Sequence, residues 1–165
     1  MKLKVSQMGL LLAVALVLSY IESVIPLNFG IPGMKLGLPN LAVVLTLYLF
    51  GWKEALLINL TRILLSGFMF GNMAGILFSL AGAAVSFISM LAARKTGLFD
   101  LCGVSICGGV THNIGQMLIA AYVVRTAGIM YYLPVLLIAG VMTGALNGII
   151  AMRTEPYLKK MQRRA

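Results

Sequence analysis

MAGILFSLAGAAVSFISMLAA, residues 73–93, contains no charged side chain and is bounded by Asn72 before it and Arg94-Lys95 after it. About 20 apolar residues of helix are needed to cross the hydrocarbon of a bilayer, so this stretch predicts a membrane-spanning helix. Working outward, apolar segments of the same kind lie near 5–25, 38–50, 54–70, 101–124 and 131–152. They are separated by Pro26 to Gly37, Gly51-Trp52-Lys53, Gly71-Asn72, Arg94 to Asp100 and Arg125 to Gly128, which carry the charge, Gly or Pro that a helix in hydrocarbon avoids. The expected fold is an all-α membrane protein, a six-transmembrane-helix bundle forming one integral membrane domain over 1–165, with a basic tail over 153–165. Segment 38–50 is the shortest, and short segments often flank binding sites.

Composition agrees with that reading. The chain is 61% hydrophobic and 10% charged, against roughly 45–50% and about 25% in soluble domains. Its net charge of +9 on so apolar a chain suits a bilayer surface and excludes a soluble nucleic-acid binder. Six spans use almost the whole 165 residues, so no separate soluble catalytic domain fits. With the N-terminus inside, Lys2, Lys4, Lys53, Arg94, Lys95, Arg153, Lys159, Lys160, Arg163 and Arg164 fall on the cytoplasmic side, and only Lys35 and Arg125 outside. Both termini are therefore expected to be cytoplasmic, in a multi-pass membrane protein. The first segment has the basic-then-apolar form of a signal peptide, but Ser19 to Glu22 offers no small-x-small cleavage site, so a retained helix is expected. The Lys159 to Arg164 cluster reads as a contact with anionic lipid heads.

The polar residues inside these segments carry the functional expectations. Arg62 lies at helix depth, where a cation is a functional candidate by default, and Asn59 and Ser66 share its face. Glu22 lies near the outer end of the first segment. One reading makes Glu22 and Arg62 a structural ion pair; the other points Arg62, tuned by Glu22, into an outward cavity for an anionic or polar small molecule. The loop that brings Asn28, Lys35 and Asn40 to the outer face, and the return at Asn72, belong to the second reading, although a solvated lid would use the same residues. On the fifth segment Ser105, Gly109, His112 and Gln116 form one face, with Asn113 beside it. Those residues are expected to face protein, either hydrogen-bonded within the interior or reaching a ligand from below.

Small residues predict close helix packing: Gly140, Gly144 and Gly148 on the last segment, and Ser79, Ala83, Ser86 and Ala93 on the fourth. Gly9 and Ala13 form a similar step on the first segment and are candidates for docking a membrane subunit. No metal site, cofactor or catalytic residue is expected. The acids Glu22, Glu54, Asp100 and Glu155 are widely dispersed, so no local carboxylate pair is available for Mg²⁺-diphosphate or acid–base chemistry. Glu54 reads as a helix-start residue, and Cys102 and Cys107 lack the spacing of a redox pair.

Lys35-Leu-Gly-Leu-Pro-Asn40, Tyr48-Leu-Phe-Gly-Trp-Lys-Glu-Ala55, Arg62 with Gly71-Asn72, Ser79-Leu-Ala-Gly82, Gly103-Val-Ser-Ile106, His112-Asn-Ile-Gly-Gln116, Tyr131-Tyr-Leu-Pro134 and Gly140 to Gly144 together resemble the bacterial family called heptaprenyl diphosphate synthase component I, or Gx transporter. That family is in turn similar to the substrate-binding S components of energy-coupling factor (ECF) transporters. The resemblance implies six helices, a vitamin-sized pocket near the outer face, and a partner module of a transmembrane coupling subunit and cytoplasmic ATPases. It also implies that Gly9-Leu-Leu-Leu-Ala13 contacts the coupling subunit, with Gly9 where an Ala is usual. The synthase label fits less well, because all-helical prenyl synthases carry Asp-rich motifs and this chain has none. The expected function is thus a substrate-binding transporter component and not an enzyme. The alternative is a non-catalytic membrane subunit for polyprenyl diphosphate or menaquinone synthesis, or for quinone-linked electron transfer.

Overall fold

The computed structural model describes residues 2–24, 35–125 and 127–163. They form α1 (Lys2–Val24), α2 (Asn40–Leu49), α3 (Trp52–Phe70), α4 (Met73–Thr96), α5 (Leu101–Val124), a short 3₁₀ segment (Ala127–Tyr132) and α6 (Leu133–Arg163). No strand occurs among the described residues. Three helical stretches, Val5–Val24, Met73–Thr96 and Met130–Gln162, are long and apolar enough to cross a membrane. The other two long helices, α3 and α5, carry Arg62 and the His112-Asn113-Gln116 group within them.

Helix ends follow local chemistry. Asn72 Oδ1 accepts from Gly75 N at 2.7 Å to open α4, and Asp100 Oδ1 accepts from Gly103 N at 2.7 Å to open α5, each satisfying an otherwise orphaned first-turn donor. Gly97, at φ 68°, closes α4 in the left-handed conformation. Glu54 sits in the first turn of α3, where a carboxylate complements the helix dipole.

The ten-residue α2 is the centre of the bundle. Every residue from Asn40 to Leu47 is buried, and the helix touches α1, α3, α5 and α6. A helix that is apolar all round must be enclosed on all sides. Leu41, Val43, Val44 and Leu47 pack with Leu11, Ile58, Met90 and Val104 in the largest core cluster. Around α2, contacts run from α1 to α3, α3 to α4, α4 to α5 and α5 to α6.

The α5–α6 seam is close because glycines face it. A Cβ on Gly144 would lie 2.7 Å from Ile106 Cα, and one on Gly148 would lie 2.7 Å from Cys102 Cα. A Cβ on Gly109 would collide with the Gly140 carbonyl. Only small residues allow backbones this near.

The last helix runs further than its apolar segment. Residues 153–163 continue α6 as one 31-residue helix through Pro156, so most of the expected basic tail is helical. At its far end Gln162 Nε2 donates to Gln7 Oε1 at 3.0 Å, which brings the end of α6 to the start of α1. Arg94, in the last turn of α4, donates to the Leu47 carbonyl at 2.7 Å and lies over the Tyr48 ring at 4.8 Å. At the opposite end Tyr20 meets Phe70 edge-on, with ring centroids 5.5 Å apart. Lys53, Arg94, Lys95 and Lys159 thus share the bundle end that holds the start of α1, and Glu22, Lys35 and Asn40 gather at the other.

Candidate functional site

The site is built around the backbone of Lys35 to Leu38, just before α2. Glu22, buried near the end of α1, accepts through Oε1 from Gly37 N at 2.6 Å and Leu38 N at 3.3 Å. Gln116 Oε1 on α5 accepts from Lys35 N at 3.1 Å. From α6, Thr143 Oγ1 donates to the Leu36 carbonyl at 3.2 Å and Asn147 Nδ2 to the Gly37 carbonyl at 3.1 Å. Three helices therefore satisfy a non-helical strap that could not otherwise be buried in a bundle. Gly37 is needed here: its φ is +90°, and a Cβ would lie 3.2 Å from Asn40 Nδ2 and 3.4 Å from the His112 ring.

Arg62 lies below the strap, 3% exposed. Its Nε and Nη2 donate to Asn59 Oδ1 at 3.1 and 2.9 Å, and Nη2 donates weakly to Asn40 Oδ1 at 3.4 Å. The structural ion pair considered from the sequence does not form in that sense. Glu22 and Arg62 are near enough to attract one another, but the hydrogen bonds of Glu22 go to strap amides and those of Arg62 to carboxamides. Ser66, on the same helix, bonds back to the Ile63 carbonyl.

His112 and Gln116 form the adjoining wall. Because Gln116 Oε1 faces a backbone donor, its NH₂ faces His112 Nε2, 3.1 Å away. That nitrogen must accept, which places the imidazole proton on Nδ1. The ring packs on Gly82 of α4, where a Cβ would come within 2.8 Å of Cε1. Asn113 is turned elsewhere, donating to the Leu136 carbonyl of α6 at 2.7 Å. Among the described residues no group of three His, Cys, Asp or Glu could hold a metal ion.

Lys35 joins Arg62 as a cation beside Glu22. Partial burial pushes the Lys35 ammonium below its ordinary range, the Glu22 carboxylate opposes that shift, and the Arg62 guanidinium adds to it. The cluster retains unused hydrogen-bonding capacity: among the described residues Glu22 Oε2 and Asn40 Nδ2 are buried with no hydrogen-bond partner, as are His112 Nδ1 against Gly82 and Asn113 Oδ1 beside α6.

Of the residues singled out from the sequence, Glu22, Lys35, Asn40, Arg62, His112 and Gln116 come together. Asn72 does not: it is exposed, and its side chain caps its own helix. Asn28 lies outside the described residues. Gly9 and Ala13 are on the outer surface of α1, and Gly9 lines a groove of about 320 Å³ against α3 with Met8, Leu12, Leu57 and Thr61. A second, almost wholly apolar groove of about 390 Å³ runs between α3 and α4, lined by Leu56, Leu60, Ala84, Phe87 and Ile88, with Asn59 at its wall. Thr143 and Asn147 are strap-holding residues that the sequence reading passed over. Their spacing on one face of an otherwise apolar helix was the available signal, masked by the glycine pattern around them.

Among the curated proteins and the solved structures, none matches the chain. The family model described as heptaprenyl diphosphate synthase component I matches residues 11–154, a span that holds the strap, the residues Glu22, Gln116, Thr143 and Asn147 that bond it, and Arg62. On that match the chain belongs to the heptaprenyl diphosphate synthase component I family.

Proposed function

We propose that this protein is the membrane-embedded, substrate-binding component of a transporter for a small polar or anionic metabolite, energised by separate ATPase subunits. In this reading it is an S-type component and not an enzyme, it lies in a bacterial inner membrane, and both termini are cytoplasmic. Six helices cross the bilayer. The short α2 rises only about 15 Å and is preceded by the strap and a turn at Leu38-Pro39, where Asn40 N donates to the Gly37 carbonyl at 3.0 Å.

The observation that carries the reading is that two of the buried atoms with no hydrogen-bond partner among the described residues, Glu22 Oε2 and Asn40 Nδ2, belong to side chains that both adjoin Gly37 of the strap. Each buried group left unsatisfied costs about 1–3 kcal/mol, and a bound ligand would recover that cost. Arg62 holds the ligand's acceptor groups, Lys35 adds positive charge, and His112 and Gln116 form the wall. The family's description as a component supports dependence on other subunits, and the exposed Gly9 and Ala13 are candidates for docking them.

The test is a gentle pull-down of the full chain from native membranes, with mass identification of protein partners and retained small molecules. ATPases and a coupling subunit are the expected partners. Arg62→Ala should abolish uptake of the retained molecule while the protein still inserts; unchanged uptake would remove Arg62 from the site. The apolar α3–α4 groove favours a second reading, a non-catalytic membrane subunit that holds a prenyl chain or quinone. A prenyl synthase or quinone recovered in place of ATPases would establish it.

A further inference from the structure

The donors and acceptors left free around Gly37 specify the class of ligand, on the premise that the site binds one as proposed above. Their chemical identities follow from their neighbours. Arg62 Nη2 can only donate, so the Asn40 oxygen faces it, and Nδ2 is the free atom. Glu22 Oε1 is occupied by the Gly37 and Leu38 amides, and Oε2 is the free atom. Both side chains are more than nine-tenths buried, and both adjoin Gly37: Glu22 accepts from the Gly37 N–H, and Asn40 lies beside the Gly37 Cα. Of the guanidinium nitrogens of Arg62, Nε and Nη2 are engaged by Asn59 and Asn40, which leaves Nη1 as the nitrogen those bonds do not use.

This combination discriminates among small polar molecules. A free carboxylate oxygen in a low-dielectric interior calls for an N–H or ammonium donor. A free carboxamide NH₂ beside a guanidinium calls for a carboxylate or carbonyl acceptor. A plain anion such as inorganic phosphate would satisfy Asn40 and Arg62 but set negative charge against Glu22 Oε2. A plain amine would pair with Glu22 but meet the positive charge of Arg62 and Lys35. We infer that the ligand is an amino- or amido-carboxylate, its N–H group on Glu22 and its carboxylate on Asn40 and Arg62.

The full chain in lipid nanodiscs tests this by thermal melting against matched compounds at equal concentration. The panel comprises amino- and amido-carboxylates, the same carbon skeletons lacking nitrogen, amines lacking a carboxylate, inorganic phosphate, a prenyl diphosphate and a quinone. Stabilisation confined to compounds bearing both groups is the expected result. Glu22→Gln should weaken their binding at least tenfold. Because Glu22 also holds the strap, Asn40→Asp serves as the second variant: it keeps an oxygen toward Arg62 and turns the free donor into an acceptor, and it too should cost at least tenfold. Equal stabilisation by the nitrogen-free skeletons or by phosphate overturns the ligand class and leaves the substrate-binding reading standing. Stabilisation by the prenyl diphosphate or quinone alone, or by nothing in the panel, overturns the substrate-binding reading and the class with it.

Discussion

At the scale of single residues, Gly37 is the position where most constraints meet. Its N–H is held by Glu22, its carbonyl by Asn147, and its α-carbon lies against Asn40 and His112 at a φ of +90°. Gly37→Ala is expected to cost about 1–3 kcal/mol, because a side chain is strained in that conformation wherever space exists. A lowered melting temperature in detergent would show it, and an unchanged one would mean that the strap relaxes freely. Lys35 supplies a pH dependence whose sign can be worked out. Its folded-state pKa lies below the ordinary 10.5, so between the two values the unfolded chain binds more protons and stability rises with pH. Comparing melting temperatures of the wild type and Lys35→Gln across that window isolates the effect. The wild type should gain relative to the variant as pH approaches 10.5.

At the scale of elements, the glycines divide by what faces them. On α6, Gly144 and Gly148 allow α5 to approach, and a Cβ at either would come within 2.7 Å of a backbone carbon. Gly144→Leu should therefore destabilise the protein by about 1–3 kcal/mol or more, as overpacking does, seen as earlier melting. On α1, a Cβ at Gly9 would meet nothing within 4 Å. Gly9→Ala should leave the fold intact or strengthen α1 by up to about 1 kcal/mol through helix propensity. Reduced uptake by a Gly9→Leu variant of unchanged stability would assign that face to a partner. The α6 extension belongs to this scale too. Gln162 bonds Gln7 across the helix pair, and Lys159 pairs with Glu155 one turn away. Such a surface pair adds only about 0.3–0.5 kcal/mol, so the extension is held at its end by contact with α1 rather than by its charges.

At the scale of the whole molecule, the helices alternate so that one end carries Gln7, Lys53, Arg94 and Gln162 and the other Glu22, Lys35 and Asn40. Single cysteines placed at Gln162 and Lys53 in a background lacking Cys102 and Cys107 should be labelled from the cytoplasm, and one at Asn72 from outside. Labelling of all three from the same side would sink the six-span topology. Much of this architecture could be read directly from the chain, because charge, Gly and Pro punctuate apolar runs wherever a helix must leave hydrocarbon. Residues 73–93 and the turn at Gly51 are examples, as is the burial of the His112–Gln116 face, since polar atoms in hydrocarbon need protein partners. The 31-residue length of α6 was less visible, because helical propensity continues past the point where hydropathy stops. What the amino-acid order determined by itself is the set of helices and the few polar residues placed among apolar ones. These are local quantities, set by a side chain's cost of transfer and by backbone periodicity. Only the tertiary structure decided that the short α2 is the centre of the bundle, that Glu22 holds strap amides while Arg62 is held by Asn59, and that Asn147 reaches Gly37 from α6. Those pairings join residues as far apart as 37 and 147. They depend on which helices become neighbours, and periodicity along one segment carries no record of that.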